Sequence, residues 1–263
     1  QAVSQVTVTG FVADEGGQEL PSFNGRVFVT LFDKTDTLFT LGQGSAVTSF
    51  SLQRNVLFKG AATVSQGRFS ITFVVPRDIN YQYGFGKLSY YAENGEEDAT
   101  GFFDGLIIGG TDPNGVQDDE GPLVEVFMND ENFVLGGITD EDPVLLVRLT
   151  DDNGINIAGT SIGHDLTGVL DDDQANRFLL NDFYEAEIDD YTRGFVRYPL
   201  FDLEEGLHTV RVTAWDVANN SAEGFTEFVV ASSESVALEQ VLNYPNPFTT
   251  NTWFEFEHNH QIG

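Results

Sequence analysis

Apolar and polar residues alternate along most of this chain in short runs. Residues 6–9, 27–32, 69–75, 88–91, 106–108, 123–128, 144–149, 195–200, 209–215 and 226–230 are rich in β-branched and aromatic side chains, and Gly, Asn, Asp or Pro bound them. Such runs read as strands. No helical period of ten or more residues separates them, and only 189–191 allows a single helical turn. The pattern predicts an all-β chain of tandem β-sandwich domains of immunoglobulin-like type.

The clearest local pattern lies at 206–230. Val210, Val212 and Ala214 face one way, and Thr209, Arg211, Thr213 and Trp215 the other. An Asp216-to-Asn220 turn then leads into a second alternating run, as in the last hairpin of an immunoglobulin-like sandwich. The stretch 109–122 is turn-forming and acidic and has no apolar period, so it reads as a boundary. A second boundary falls at 231–235. The expected organisation is a β-sandwich at 1–112, an acidic linker at 113–122, an immunoglobulin-like sandwich at 123–231 and the truncated start of a further β-domain at 236–263. In that last segment Pro245 and Pro247 exclude a helix or a central strand, whereas Trp253 to Glu257 alternates as a strand does.

Composition narrows the classes of function. The 263 residues hold 41% hydrophobic side chains and 23 Phe, enough for real cores. The absence of Cys excludes a disulfide framework, a thiolate metal site and a Cys nucleophile within these residues. No apolar run reaches the ~18 residues of a membrane helix. No signal peptide is visible at Gln1, so the N-terminus reads as processed or cut. The net charge of -30, from 42 acidic and 12 basic residues, disfavours nucleic acid and anionic lipid as partners. It fits either a solvated exterior surface or divalent cation binding.

Four constellations carry candidate chemistry. The first joins the acidic linker (Asp118, Asp119, Glu120), the loop after 144–149 (Asp151, Asp152, Asn153) and the last hairpin turn (Asp216, Asn219). An immunoglobulin-like sandwich would bring all three to one end, where oxygen ligands suit a structural Ca²⁺. The plainer reading is that they are turn residues capping their own backbones. The second is Ser161, His164 and Asp165, adjacent in sequence but with no Gly-x-Ser-x-Gly elbow. His164 reads as a structural hydrogen-bonding residue, with 162–170 as a strand. The third is Glu255, Glu257, His258 and His260, whose His pair two apart is a weak metal signal. The fourth is an aromatic group, Tyr81, Tyr83, Phe85, Tyr90, Tyr91, Phe102 and Phe103, read as packing in preference to a sugar- or protein-binding surface. None of these makes a catalytic site.

An ordered series of short motifs adds a resemblance. It runs Phe23-Asn24-Gly25, Phe32-Asp33-Lys34, Leu57-Phe58-Lys59-Gly60, Gly67-Arg68-Phe69, Val75-Pro76-Arg77-Asp78-Ile79 and Gly86-Lys87-Leu88-Ser89-Tyr90-Tyr91-Ala92. It continues with Met128-Asn129-Asp130, Gly154-Ile155-Asn156, Gly163-His164-Asp165-Leu166, Leu180-Asn181-Asp182-Phe183-Tyr184, Ala214-Trp215-Asp216 and Asn243-Tyr244-Pro245-Asn246-Pro247-Phe248. In this order the set resembles the C-terminal part of the PorU family, the type IX secretion sortases of Bacteroidetes, which are gingipain-like cysteine peptidases of family C25. The resemblance implies a parent enzyme on the extracellular face of the outer membrane that removes sorting signals from secreted cargo. It implies an outer-membrane barrel partner, PorV, and the surface components PorQ and PorZ. The catalytic Cys and His would lie in another part of the polypeptide, so no catalytic residue is carried over. The expected role is a non-catalytic region that positions the catalytic domain on the attachment complex. Because the last segment also resembles the opening of type IX sorting-signal domains, the alternative is a calcium-stabilised adhesin or carbohydrate-binding fragment of a secreted cargo protein.

Overall fold

The computed structural model describes residues 1–44, 46–159, 163–231, 238–244 and 252–258. Eight strands come first: β1 (Gln5–Phe11), β2 (Gly25–Phe32), β3 (Asp36–Phe39), β4 (Ser49–Leu52), β5 (Val56–Val64), β6 (Arg68–Val74), β7 (Gly84–Glu93) and β8 (Asp98–Ile108). Nine follow: β9 (Leu123–Met128), β10 (Gly137–Thr139), β11 (Val144–Thr150), β12 (Thr167–Leu170), β13 (Arg177–Leu179), β14 (Tyr184–Glu187), β15 (Asp190–Pro199), β16 (Gly206–Trp215) and β17 (Ser221–Val230). A last hairpin pairs β18 (Leu238–Tyr244) with β19 (Trp253–His258). Among the described residues the helical segments are two 3-10 turns, Gln174–Asn176 and Asn181–Phe183.

In the first sandwich, an antiparallel sheet β5-β2-β7-β8 is covered by the pair β1-β6, and β3-β4 forms a hairpin of its own. Its core holds Phe23, Val27, Val29, Leu31, Leu57, Ile71, Phe73 and Leu88. In the second, β10-β17-β16-β12-β13 faces β14-β15-β11-β9 across a core of Met128, Leu145, Val147, Leu149, Val196, Val210, Val212 and Phe228. Among the described residues the strand pairs are antiparallel except β10 on β17. The alternation read at 206–230 is realised: Val210, Val212 and Ala214 are fully buried.

Two sequence expectations fail for physical reasons, and strand β5 adds to the expected set. Strand β5 was not expected, because Lys59-Gly60-Ala61-Ala62 lacks β-branched residues. Gly60 sits under the Phe58 ring, where a Cβ would come within 2.5 Å of ring carbon. The strand expected at 162–170 begins only at Thr167; residues 160–162 lie outside the described set, and Gly163 has φ +94°. Residues 189–191 form no helical turn. Ile188 and Asp189 instead make the two-residue turn of the β14–β15 hairpin, with Asp189 at φ +64°.

Phe228 has 0% exposure in the second core. Phe228→Ala is expected to cost about 3–5 kcal/mol, read as a lowered urea midpoint.

His208 on β16 offers a pH-dependent test. Its ring stacks on Phe228 at 5.6 Å, and its two nitrogens lie 2.8 Å from Asp171 Oδ2 and 2.7 Å from the Glu204 carbonyl. Burial alone lowers the imidazole pKa, but the Glu204 carbonyl and the Asp171 carboxylate outweigh it and raise the pKa above 6.5. Two acceptors require two N–H donors, which only the imidazolium has. With the folded pKa above the unfolded one, the stabilisation is complete below about pH 6.5 and disappears as pH rises through the folded pKa. Urea melts across this range should show the gap between wild type and His208→Gln closing as pH rises; a constant gap would contradict the assignment.

Candidate functional site

The two sandwiches meet through a built junction, and its centre is Asp78. This residue follows β6 in the first sandwich, on a segment whose Arg77 N–H donates to the Val217 carbonyl of the second at 2.8 Å. The Asp78 side chain is only 10% exposed. Its Oδ2 accepts from Asn156 Nδ2 at 2.8 Å and lies 2.8 Å from His164 Nδ1, while its Oδ1 accepts from Asn219 Nδ2 at 2.7 Å. All three partners belong to the second sandwich. Asn156 is itself fully buried, and the His164 ring lies against Trp215 at 4.3 Å.

A second set of bonds runs along the β14–β15 turn. Asp189 N–H donates to the Ala61 carbonyl at 3.0 Å, and the Asp189 carboxylate accepts from Thr63 N at 2.7 Å and Thr63 Oγ1 at 2.5 Å. Gln5 Nε2 donates to Tyr191 Oη at 3.0 Å. Apolar packing crosses the boundary as well: Ala158 and Tyr191 pack with the first core, and Val56 packs against the second. A junction carrying both buried polar bonds and shared apolar packing resists rotation of one sandwich on the other.

Beside this network three carboxylates converge. Ligand atoms of Asp118, Asp151 and Asp216 all lie within 4.8 Å of one another. Asp118 comes from the linker, Asp151 from the end of β11 and Asp216 from the turn after β16. Asp151 Oδ1 accepts from the N–H groups of Asn153 at 2.8 Å and Gly154 at 3.0 Å, a turn that needs glycine at φ +102°. Asp216 accepts from Asn220 N and Nδ2, both at 2.7 Å. Burial raises Asp151 to about 6; the Asn153 N–H opposes this and the Asp216 and Asp118 charges reinforce it. Burial raises Asp216 too, against its bonds to Asn220.

Of the eight candidate oxygen ligands, the structure thus brings three carboxylates together. Asn153 stands at their edge, with Nδ2 2.5 Å from Asp118 Oδ2. Asp119, Glu120 and Asp152 are exposed, and Asn219 is committed to Asp78. His164 pairs with Asp78, while Ser161 lies outside the described residues. His260 and the side chains of Glu257 and His258 also lie outside them. The aromatic group does not pack as expected. Tyr90 alone is held inside, against Phe69 at 5.8 Å; the others are exposed, up to 67% for Tyr83 and 70% for Phe102. Tyr81 and Tyr83 precede β7, and Phe85, Tyr91, Phe102 and Phe103 stand at exposed positions of β7 and β8, so alternation alone could not place them.

The sequence reading missed the role of Asp78 and Asn156. Both stand in motifs already noted, Val75 to Ile79 and Gly154 to Asn156, but nothing local marks them as partners across 78 positions.

Comparison with solved structures places this geometry. The crystal structure of dimeric latent PorU from Porphyromonas gingivalis aligns over 98% of this chain, at 29% identity and a TM-score of 0.50. The chain is similar to a stretch of PorU. It spans 24% of the length of that PorU chain, so the resemblance covers a part of the larger protein. The major pilin subunit BcpA of Bacillus cereus aligns over 89% of this chain and 71% of its own length at 8% identity and a TM-score of 0.19, a level that carries nothing over. No protein-family model and no curated protein matches the chain. The PorU likeness and the all-β architecture agree with each other: both sandwiches fall within the aligned stretch.

Proposed function

We propose that this chain is a non-catalytic β-sandwich region of a type IX secretion sortase. It holds the cysteine peptidase domain of the same polypeptide on the outer-membrane attachment complex at the cell surface. The observation that carries this reading is the PorU alignment across both sandwiches and the junction between them. A region without Cys supplies no thiol nucleophile, and the tightly bonded junction suits a spacer that fixes distance and angle. The partners in this reading are the peptidase domain, a PorV-like barrel, and PorQ and PorZ.

The test is deletion of residues 1–263 from the parent. The expected result is loss of sorting-signal cleavage in cells and of co-purification with the barrel, while a cysteine-protease activity probe still labels the remaining domain. Normal cargo cleavage and complex assembly after the deletion would sink the proposal.

In the same reading a Ca²⁺ ion joins Asp118, Asp151 and Asp216 and stiffens the junction. Three hard oxygen donors from linker and sandwich are the ligand type that Ca²⁺ takes. The exposed aromatics favour one other reading, a calcium-stabilised adhesin or carbohydrate-binding fragment of a secreted cargo protein. Glycan-array binding by the chain, lost in Phe102→Ala or Tyr83→Ala, would support that reading; no binding with or without Ca²⁺ would remove it.

A further inference from the structure

We propose that a cavity beside the junction, on the side of the first sandwich, binds a small organic carboxylate. Its volume is about 620 Å³, within the usual range for small-molecule sites, and it lies between two domains, where such sites concentrate. The chain has only 12 basic residues against 42 acidic ones, and three of them, Lys34, Arg54 and Arg77, line this cavity. In so acidic a chain most arginines find a carboxylate: Arg26 pairs with Glu93, Arg68 with Glu19, Arg148 with Glu131 and Arg211 with Asp172. Among the described residues, the Arg54 and Arg77 side chains make no ion pair and no hydrogen bond.

Their backbones are nonetheless fixed. Gln53 Nε2 donates to the Asp33 carbonyl at 2.8 Å, and Asp33 N–H donates to the Asn55 carbonyl at 2.8 Å. The residues on both sides of Arg54 are therefore tied to one aspartate, whose exposure is 2%. Arg77 donates its N–H across the junction, and its carbonyl accepts from Tyr81 Oη at 2.8 Å. The carboxylates around the cavity already have donors. Asp33 accepts from Lys34 Nζ at 2.6 Å, Asp36 accepts from Asn55 Nδ2 at 2.8 Å, and Asp78 is engaged by the junction.

Among the described residues these two guanidiniums have no protein partner; both residues are exposed, so water is the only competitor for an anion that enters the cavity they line on anchored backbone. Its charge is limited by the lining, in which Asp33, Asp36 and Asp78 balance Lys34, Arg54 and Arg77. A dianion such as phosphate meets more repulsion from those carboxylates than a monoanion does. The two oxygens of a carboxylate also match the guanidinium fork. The same group is found at the carboxyl end of a peptide and on a sugar acid.

The test titrates the chain with N-acetyl-glycylglycine and with glucuronate, followed by backbone amide NMR. The dipeptide amide and glucose serve as neutral counterparts, and inorganic phosphate as the dianion. One carboxylate or both should shift the amides flanking Arg54 and Arg77, and the neutral counterparts should not. The one that binds identifies the source. Arg54→Gln and Arg77→Gln should each weaken binding by about ten-fold or more, with lysine restoring part of it. Unchanged amide positions elsewhere will show that the variants fold. No shift with either carboxylate, tighter binding of phosphate, or undiminished binding by the double glutamine variant would overturn the proposal.

Discussion

Asp78→Ala is expected to split the unfolding of the chain into two transitions and to weaken the junction by about 3–5 kcal/mol. The wild-type carboxylate satisfies two side-chain amides and one imidazole, all from the second sandwich. Alanine leaves those donors facing a void. A buried donor left unsatisfied costs about 1–3 kcal/mol, and Asn156, at 0% exposure, has no route to water. Asp78→Asn is a sharper variant. It keeps the volume but leaves one acceptor oxygen and adds a competing N–H₂, so it should recover little. The readouts are a urea melt followed by tryptophan fluorescence and circular dichroism, together with limited proteolysis at the linker. Noncoincident transitions and faster cleavage near residues 113–122 are expected, because the two cores remain intact while their coupling is lost. A single transition with an unchanged midpoint would mean that the apolar and Asp189 bonds hold the junction without Asp78.

The junction shows where sequence reasoning stops. Strands such as β2, β11 and β16 were legible because their alternating Val, Leu and Phe residues fill a core from one face. Strand β8 was legible only at its end: Gly101, Asp104 and Gly105 interrupt the apolar pattern, while Phe102 and Phe103 face solvent. The acidic segments were legible as a set of turn-prone oxygens. What separates Asp118, Asp151 and Asp216 from Asp119, Glu120 and Asp152 is burial, which depends on how the linker passes over the end of the second sandwich. The Asp78 network was not legible, since Asn156 and His164 come from the β11–β12 connection and Asn219 from the β16–β17 turn, and no local spacing links either to Asp78. The cavity beside it was hidden for the same reason: Arg54 and Arg77 come to line one cavity only when the β4–β5 loop and the segment after β6 are both in place.

Calcium is expected to raise the melting temperature of the chain by several degrees, and chelator to reverse the effect. At about 100 times its dissociation constant a ligand adds roughly 2.7 kcal/mol. The free carboxylates oppose one another. Since burial raises Asp151 to about 6, the folded state holds a proton there more tightly than the unfolded chain, whose ordinary value is 3.8. Stability without metal should therefore fall as pH rises from about 4 to about 6, and this group should add no further change above that. After allowance for solvent screening, the loss is about 1–2 kcal/mol. A divalent cation replaces the proton, so its stabilising effect should grow over the same interval. Asp151→Asn gives the decisive pair of outcomes at pH 7. In chelator the variant should be more stable than wild type, because an uncompensated buried charge is gone. In Ca²⁺ the order should reverse, because a ligand is gone. Asp152→Asn, at an exposed position one residue away, should change neither. If wild type melts at the same temperature with Ca²⁺ and with chelator while Asp151→Asn is the more stable in both, the three aspartates are a strained turn cluster and not a metal site.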